Sequence, residues 1–174
     1  MSDVPQPSAE AAHRFVDHRA AVVSAPAEVV LATVERIGGD NGWPFADPLW
    51  QIRGWLDRIV GGVGMRGRAS HPERLVEGEH LDFWHVERLH RPTLLRLRAE
   101  MRVPGRAWLE FRVEDLGGAT RLTQVAMFDP SGLAGYLYWY VLYPIHVLIF
   151  RGMIRRLAAD AVRATTKPRW AAPR

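Results

Sequence analysis

A chain of 174 residues with 48% hydrophobic content can bury a sizeable core in one domain and is too apolar for wholesale disorder. Its formal charge of +4 comes almost wholly from arginine, Lys167 being the only lysine, and the 19 acidic residues lie among the arginines throughout; with no basic stripe, nucleic acid is not an expected partner. Cysteine is absent, which excludes disulfides, thiolate catalysis and cysteine-ligated zinc or iron–sulfur centres.

The opening MSDVPQPSAEAA has no apolar run of the secretory kind, so a cytoplasmic setting is expected. The expected organisation is a flexible N-terminus over 1–15, a single domain over 16–164 and a flexible tail over 165–174. HRAAVVSAPAEVV reads as a strand, then a helix capped by Ser24 that runs to about Arg36 and stops at Gly38-Gly39. ADPLWQIRGWLDRIVGG predicts a second helix with Asp47 at its cap and Pro48 in its first turn. Leu49, Ile52, Leu56 and Ile59 share one face of it.

GGVGMRGR, residues 61–68, holds a literal G-x-G-x-x-G. A dinucleotide fingerprint needs a strand before the first glycine and a helix after the last, because the helix N-terminus holds the pyrophosphate. Here an amphipathic helix precedes the glycines and the polar RASHPERLVEGEH follows. Glu87 is at about the right distance for the acidic residue but sits in a strand-like run. The glycines are therefore read as a turn after a helix, and no cofactor is expected.

From residue 80 the hydrophobic period changes to two. HLDFWHVERL is one strand. In TLLRLRAEMRV the residues Leu95, Leu97, Ala99, Met101 and Val103 alternate with polar ones, and after Pro104-Gly105 so do Ala107, Leu109, Phe111 and Val113. Two such runs make an antiparallel hairpin with one buried face. A plain two-residue loop at Pro104-Gly105 would set apolar residues opposite polar ones, so the loop must hold an odd number of residues or a bulge. ATRLTQVAMF follows the Gly117-Gly118 turn as a further strand. Last comes SGLAGYLYWYVLYPIHVLIF, 20 residues without a charge, continued by RGMIRRLAADAV. That length can span a bilayer, but Pro144, His146 and tyrosines spread along the run favour a helix of about 28 residues, roughly 42 Å long, covering the sheet. Pro144 is expected to kink it.

One strand, two helices, a run of antiparallel strands and a long C-terminal helix is the order of an α+β helix-grip domain. Residues 18–160 resemble a family of unknown function usually found after an atypical short-chain dehydrogenase-like, NAD(P)-binding domain. The likeness is carried by GGDNGW, LWQIRGWLDRIVGGVGMRGR, LDFWHVE, AEMRVPGRAWLEF and FDPSGLAGYLYWYVLYPIH. That family is assigned to the START-like, polyketide-cyclase-like superfamily. The resemblance implies a curved antiparallel sheet wrapped around the C-terminal helix, with a cavity between them for an apolar or amphipathic small molecule. A separate NAD(P)-binding partner protein would follow by analogy alone, since the chain is too short to carry the dinucleotide domain.

His80, Asp82, His85 and Glu87 form a cluster, but along one strand the first two face away from the last two, so no metal site is expected. Ser70-His71 and Asp129 to Ser131 lack the strand–turn–helix context of a nucleophile elbow. His146, inside the apolar helix, reads either as a core histidine bonded to a backbone carbonyl or tyrosine, or as a polar or acid–base group in the cavity. Gln124 interrupts an otherwise apolar strand face. Along the helix Tyr136, Tyr140 and Tyr143 form one stripe, and Trp139, Leu142 and His146 another. Trp108 shares a face with Arg106 and Glu110, which predicts stacking between arginine and indole.

The expected function is non-covalent binding of a small hydrophobic molecule. Leu97, Ala99, Met101, Leu109 and Phe111 form the expected wall, and Gln124, Trp139, Tyr140 and His146 line the rest. The alternatives are a cyclase- or isomerase-like enzyme with His146 as acid–base group, and a membrane-peripheral protein anchored through residues 132–150, with Arg151, Arg155 and Arg156 at the headgroups.

Overall fold

A computed structural model describes residues 15–59, 61–64, 67 and 74–166, the side chains of Arg53, Leu56 and Asp57 excepted. The expected flexible termini fall outside these residues, except Phe15, which opens the first strand, and Thr165 and Thr166, which close the last helix. The described elements run β1 (Phe15–Val23), α1 (Ala27–Val34), a single 3-10 turn (Gly39–Asn41), α2 (Asp47–Ile59), β2 (His80–Leu81), β3 (Trp84–His90), β4 (Leu94–Ala99), β5 (Gly105–Asp115), β6 (Thr120–Pro130) and α3 (Gly132–Thr166).

The strands form one curved antiparallel sheet in the order β1-β6-β5-β4-β3-β2. Register follows the apolar alternation. Leu95 lies opposite Phe111 and Leu97 opposite Leu109, so that large side chains meet on the buried face. Residues 100–104 separate β4 from β5, an odd number, as that pairing demands. On the other face Trp108 is flanked by the guanidinium groups of Arg96 and Arg106, 5.9 and 5.8 Å from its ring centroid, the stacking the strand phase predicted.

Two helices cover the buried face. Ala27, Val30, Leu31 and Val34 of α1 are all buried, at the spacing of one helical stripe. Met153, Ile154, Leu157 and Ala161 do the same from the C-terminal half of α3, and the two helices pack on each other and on the sheet. The residue before α1 is Pro26, which contributes no side-chain cap. Ser24 is therefore not the cap: the Ala25-Pro26 step carries the chain from strand to helix, and the fixed φ of proline suits the first turn.

Three of the five stretches that carry the family resemblance meet around Asp82. Its buried carboxylate accepts hydrogen bonds from the Gly39 N–H at 3.1 Å and the Trp43 indole N–H at 3.0 Å, while its own N–H donates to the Gly67 carbonyl at 2.8 Å. Gly38 turns with φ 70°, and a Cβ there would lie 2.8 Å from Asp82 Oδ2, so glycine is needed for the approach as well as the turn. Trp43 stacks on Trp50 of α2, centroids 4.6 Å apart. Removing the carboxylate would strand two donors, at about 1–3 kcal/mol for a buried group. Gly67 of the glycine-rich stretch thus supplies one carbonyl to this knot, and the strand pairs among the described residues are all antiparallel.

Three expectations need correction. HLDFWHVERL is two strands, because Asp82 takes a left-handed φ of 55° and turns the chain between Leu81 and Trp84; aspartate tolerates that conformation. The stripe of α2 does not face the core. Leu49, Ile52 and Ile59 are exposed, whereas Trp50 and Gly54 are buried. And α3, continuous through Pro144 over 35 residues and about 52 Å, covers the sheet with only part of its length.

Candidate ligand cavity

A cavity of about 290 Å³ opens between α2, the N-terminal half of α3 and the end of the sheet where β5 and β6 begin and finish. Its side chains come from separate stretches of sequence. Leu49, Trp50 and Ile52 of α2 stand on one side; Tyr138, Trp139, Leu142, Tyr143, Ile145, His146, Ile149 and Phe150 of α3 on another. Trp84, Met101, Val103, Ala107, Trp108, Ala126, Met127 and Phe128 complete it from the sheet and the β4–β5 loop. No acid, lysine or arginine is among the lining residues.

Local rules explain this assembly. Residues 138, 139, 142, 143, 145, 146, 149 and 150 recur at helical spacing and present one broad stripe. Phe128 and Ala126 alternate on β6, and the register sets Phe15 of β1 opposite Phe128. Trp139 stacks on both phenylalanines, centroids 4.8 and 5.8 Å away. The rings continue through His146, 5.1 Å from Trp139, to Phe150, 4.1 Å from His146, and on to Trp50, 6.2 Å from Phe150. A wall of stacked rings is stiff, since each ring restricts its neighbours, and offers large apolar area to a ligand.

One polar side chain of this wall, beside Tyr138 and Tyr143, is His146. Its side chain is 17% exposed, and its Nε2 lies 3.5 Å from Asp17 Oδ2, too far for a strong hydrogen bond. Asp17 is itself held by Arg19 at 2.7 Å. Burial pushes the imidazolium down to about 4; the negative charge of Asp17 pulls the other way, and Arg19 adds to the lowering. At neutral pH the ring is uncharged. Among the described residues its Nε2 is buried without a hydrogen-bond partner, neither a backbone carbonyl nor a tyrosine taking it. A neutral imidazole with an unpartnered buried nitrogen is instead suited to one hydrogen bond with a polar group on a mainly apolar guest.

Of the residues expected to bind ligand, Met101, Trp139 and His146 line the cavity. Leu97, Leu109 and Phe111 are fully buried in the closed core beneath α1 and α3, and Ala99 packs against that core from its edge. Gln124 is buried too, and its Nε2 donates to the Phe150 carbonyl at 3.3 Å, pinning α3 to β6 rather than meeting a guest. Tyr140 is 66% exposed and faces outward. The expectation erred by extending the apolar face of β4 and β5 along its whole length: the cavity lies at one end of the sheet, and the middle is filled by α1. Trp50, Phe128, Tyr138 and Phe150 were missed. For Tyr138 and Phe150 the signal in the sequence is the apolar run that opens α3, and for Phe128 it is the alternation along β6 that sets it in phase with Ala126. Ser70 and His71 lie outside the described residues, and Asp129 is engaged by Arg106 at 2.9 Å.

No curated protein matches the sequence. Among solved structures, a truncated norcoclaurine synthase from Thalictrum flavum is similar at 12% identity and a TM-score of 0.51, over 89% of this chain and 95% of that one. A protein from Nitrosomonas europaea is similar at 10% identity and a TM-score of 0.51, over 86% and 95%. A START superfamily protein from Mycobacterium smegmatis follows at 13% identity and 0.49, over 86% and 98%. The first two likenesses are of fold alone, an α+β helix grip in which a curved antiparallel sheet packs on a long C-terminal helix. The model of the protein family of unknown function DUF2867 matches residues 10–153, and the chain belongs to that family.

Proposed function

We propose that this protein binds a small hydrophobic or amphipathic molecule non-covalently in the cavity between α2, α3 and the end of the sheet. The observation that carries this reading is the lining: aromatic and aliphatic side chains without a formal charge around about 290 Å³, close to the low end of the roughly 300–1,000 Å³ of small-molecule sites. His146, Tyr138 and Tyr143 supply the few polar atoms that orient a guest. The lowered pKa of His146 weighs against a cyclase- or isomerase-type reaction in which it donates a proton. Native mass spectrometry of protein purified without detergent tests the proposal. A reproducible extra mass, removed by organic solvent, is the expected result; a bare chain that also fails to take up the neutral probe N-phenyl-1-naphthylamine would refute it.

A second reading, that the protein works at a membrane surface, is supported by a different observation. Leu133, Leu137, Tyr140, Val141 and Leu148 form an exposed apolar stripe on α3, continued by the exposed Arg151 and Arg155, and Asp160 is the only acid in that helix. Apolar contact followed by arginine favours an anionic bilayer. Flotation with phosphatidylglycerol vesicles should carry the protein, and L137D/L148D should reduce that at least about tenfold at the cost of burying charge in lipid. Flotation that L137D/L148D leaves intact would sink this reading.

A further inference from the structure

The turn at Asp82 does more than shorten a strand. By folding β2 back on β3 it pairs His80 with His85, and the two rings come to 5.7 Å between centroids. They lie on the face of the hairpin opposite Leu81 and Trp84, which are buried in the core. Glu100, in the β4–β5 loop, is drawn to the same place because its N–H donates to the Phe83 carbonyl at 2.8 Å. Its Oε2 lies 3.0 Å from His80 Nδ1. One ligand atom from each of the three residues lies within 4.8 Å of the others.

We propose that His80, His85 and Glu100 form a binding site for a divalent metal of the zinc class, and that the metal fastens the β2–β3 hairpin to the loop at the rim of the cavity. Two imidazoles and a carboxylate are a familiar donor set for such an ion, which sits about 2.0–2.2 Å from each. The site has further marks of construction. His85 Nδ1 is buried and has no hydrogen-bond partner, which costs stability unless something binds there. The backbone beneath is braced, since the Asp82 turn is held by Trp43, Gly39 and Gly67. Arg98, across the strand from His85, has its Nε 3.9 Å from Glu87 Oε1, so a carboxylate stands beside that positive charge. Glu100 is followed by Met101, which lines the cavity, so coordination would hold that rim in place.

The test is zinc titration of the full chain, with any affinity tag removed, by calorimetry and by thermal unfolding. The expected result is one zinc per chain and a raised Tm for the wild type and for H90Q, a control at an exposed histidine of β3 outside the cluster. H85Q and E100Q should each lose about tenfold or more in zinc affinity, with the Tm shift lost in parallel. Circular dichroism of each apo variant shows whether it folds. Should H85Q misfold, E100Q, altered in a loop, carries the test alone. Absence of zinc binding by the wild type, or binding that E100Q and H85Q leave unchanged, overturns the proposal.

Discussion

The two halves of α3 each carry an apolar stripe, and the stripes have opposite fates. From Ile149 to Ala161 the helix buries Ile149, Phe150, Met153, Ile154, Leu157 and Ala161 against α1 and the sheet. From Leu133 to Leu148 it overhangs the end of the sheet, lines the cavity with one side and leaves Leu137 and Val141 more than 60% exposed on the other. The difference lies in what stands opposite. α1 packs on α3, whose buried residues other than Gly135 lie from Ile149 onward, while α2 lies across the cavity from the N-terminal half. Periodicity in a sequence marks an apolar stripe; it does not say whether core, guest or lipid faces it.

The sharpest way to break that contrast is to truncate the packed half. Leu157→Ala should cost about 2–5 kcal/mol, read as a lower urea midpoint with an unchanged slope. A loss under about 0.5 kcal/mol would mean that the C-terminal half is not the anchor. Next in size is the pH response of His146, which sits at the junction of the two halves. Its folded pKa of about 4 lies below the ordinary value near 6.5, so the unfolded chain takes up the proton first. Its contribution to stability is complete above about pH 6.5 and falls as pH drops toward 4, by up to about 3 kcal/mol. His146→Phe should remove that part of the slope, seen by comparing urea midpoints of the two proteins at pH 7 and pH 4.5; parallel curves would show that His146 is not buried as described.

A smaller effect sharpens the overhanging half. Leu142→Trp places a larger side chain where the cavity is and should weaken N-phenyl-1-naphthylamine binding by about tenfold, roughly 1.4 kcal/mol, while the circular dichroism spectrum stays that of the wild type. Undiminished binding would move the guest elsewhere. Least of all, Leu137→Ala should change stability by no more than about 0.5 kcal/mol; a cost like that of Leu157→Ala would show that the outer stripe is covered after all.

The strands were legible because alternation has period two and one buried face enforces it. Even the parity of the β4–β5 loop followed, from the need to set Leu97 against Leu109. What escaped depended on partners distant in sequence. The turn at Asp82 carries neither glycine nor proline, and its reason lies in Trp43 and Gly39, 39 and 43 residues away. With that turn hidden, His80 and His85 looked opposed when they are paired. Gln124 was recognised as out of place among apolar neighbours, but its partner, the Phe150 carbonyl, belongs to a helix whose position no local pattern gives. The cavity itself was misplaced along the sheet for a similar reason, since only the position of α1 decides which part of the apolar face stays open.

The pairing of β1 with β6 also bears on how the chain reaches this state. Phe15 lies opposite Phe128 and Val23 opposite Thr120, so this edge of the sheet joins residues about a hundred positions apart. Closing so long a loop costs entropy before the contacts it allows can compensate, which slows folding. During synthesis β1 must wait, unpaired, until β6 has left the ribosome, and α3, which packs on both, emerges later still. The apolar helix thus meets its sheet last, and the interval before that meeting is when the chain is most exposed to aggregation or to capture by a chaperone.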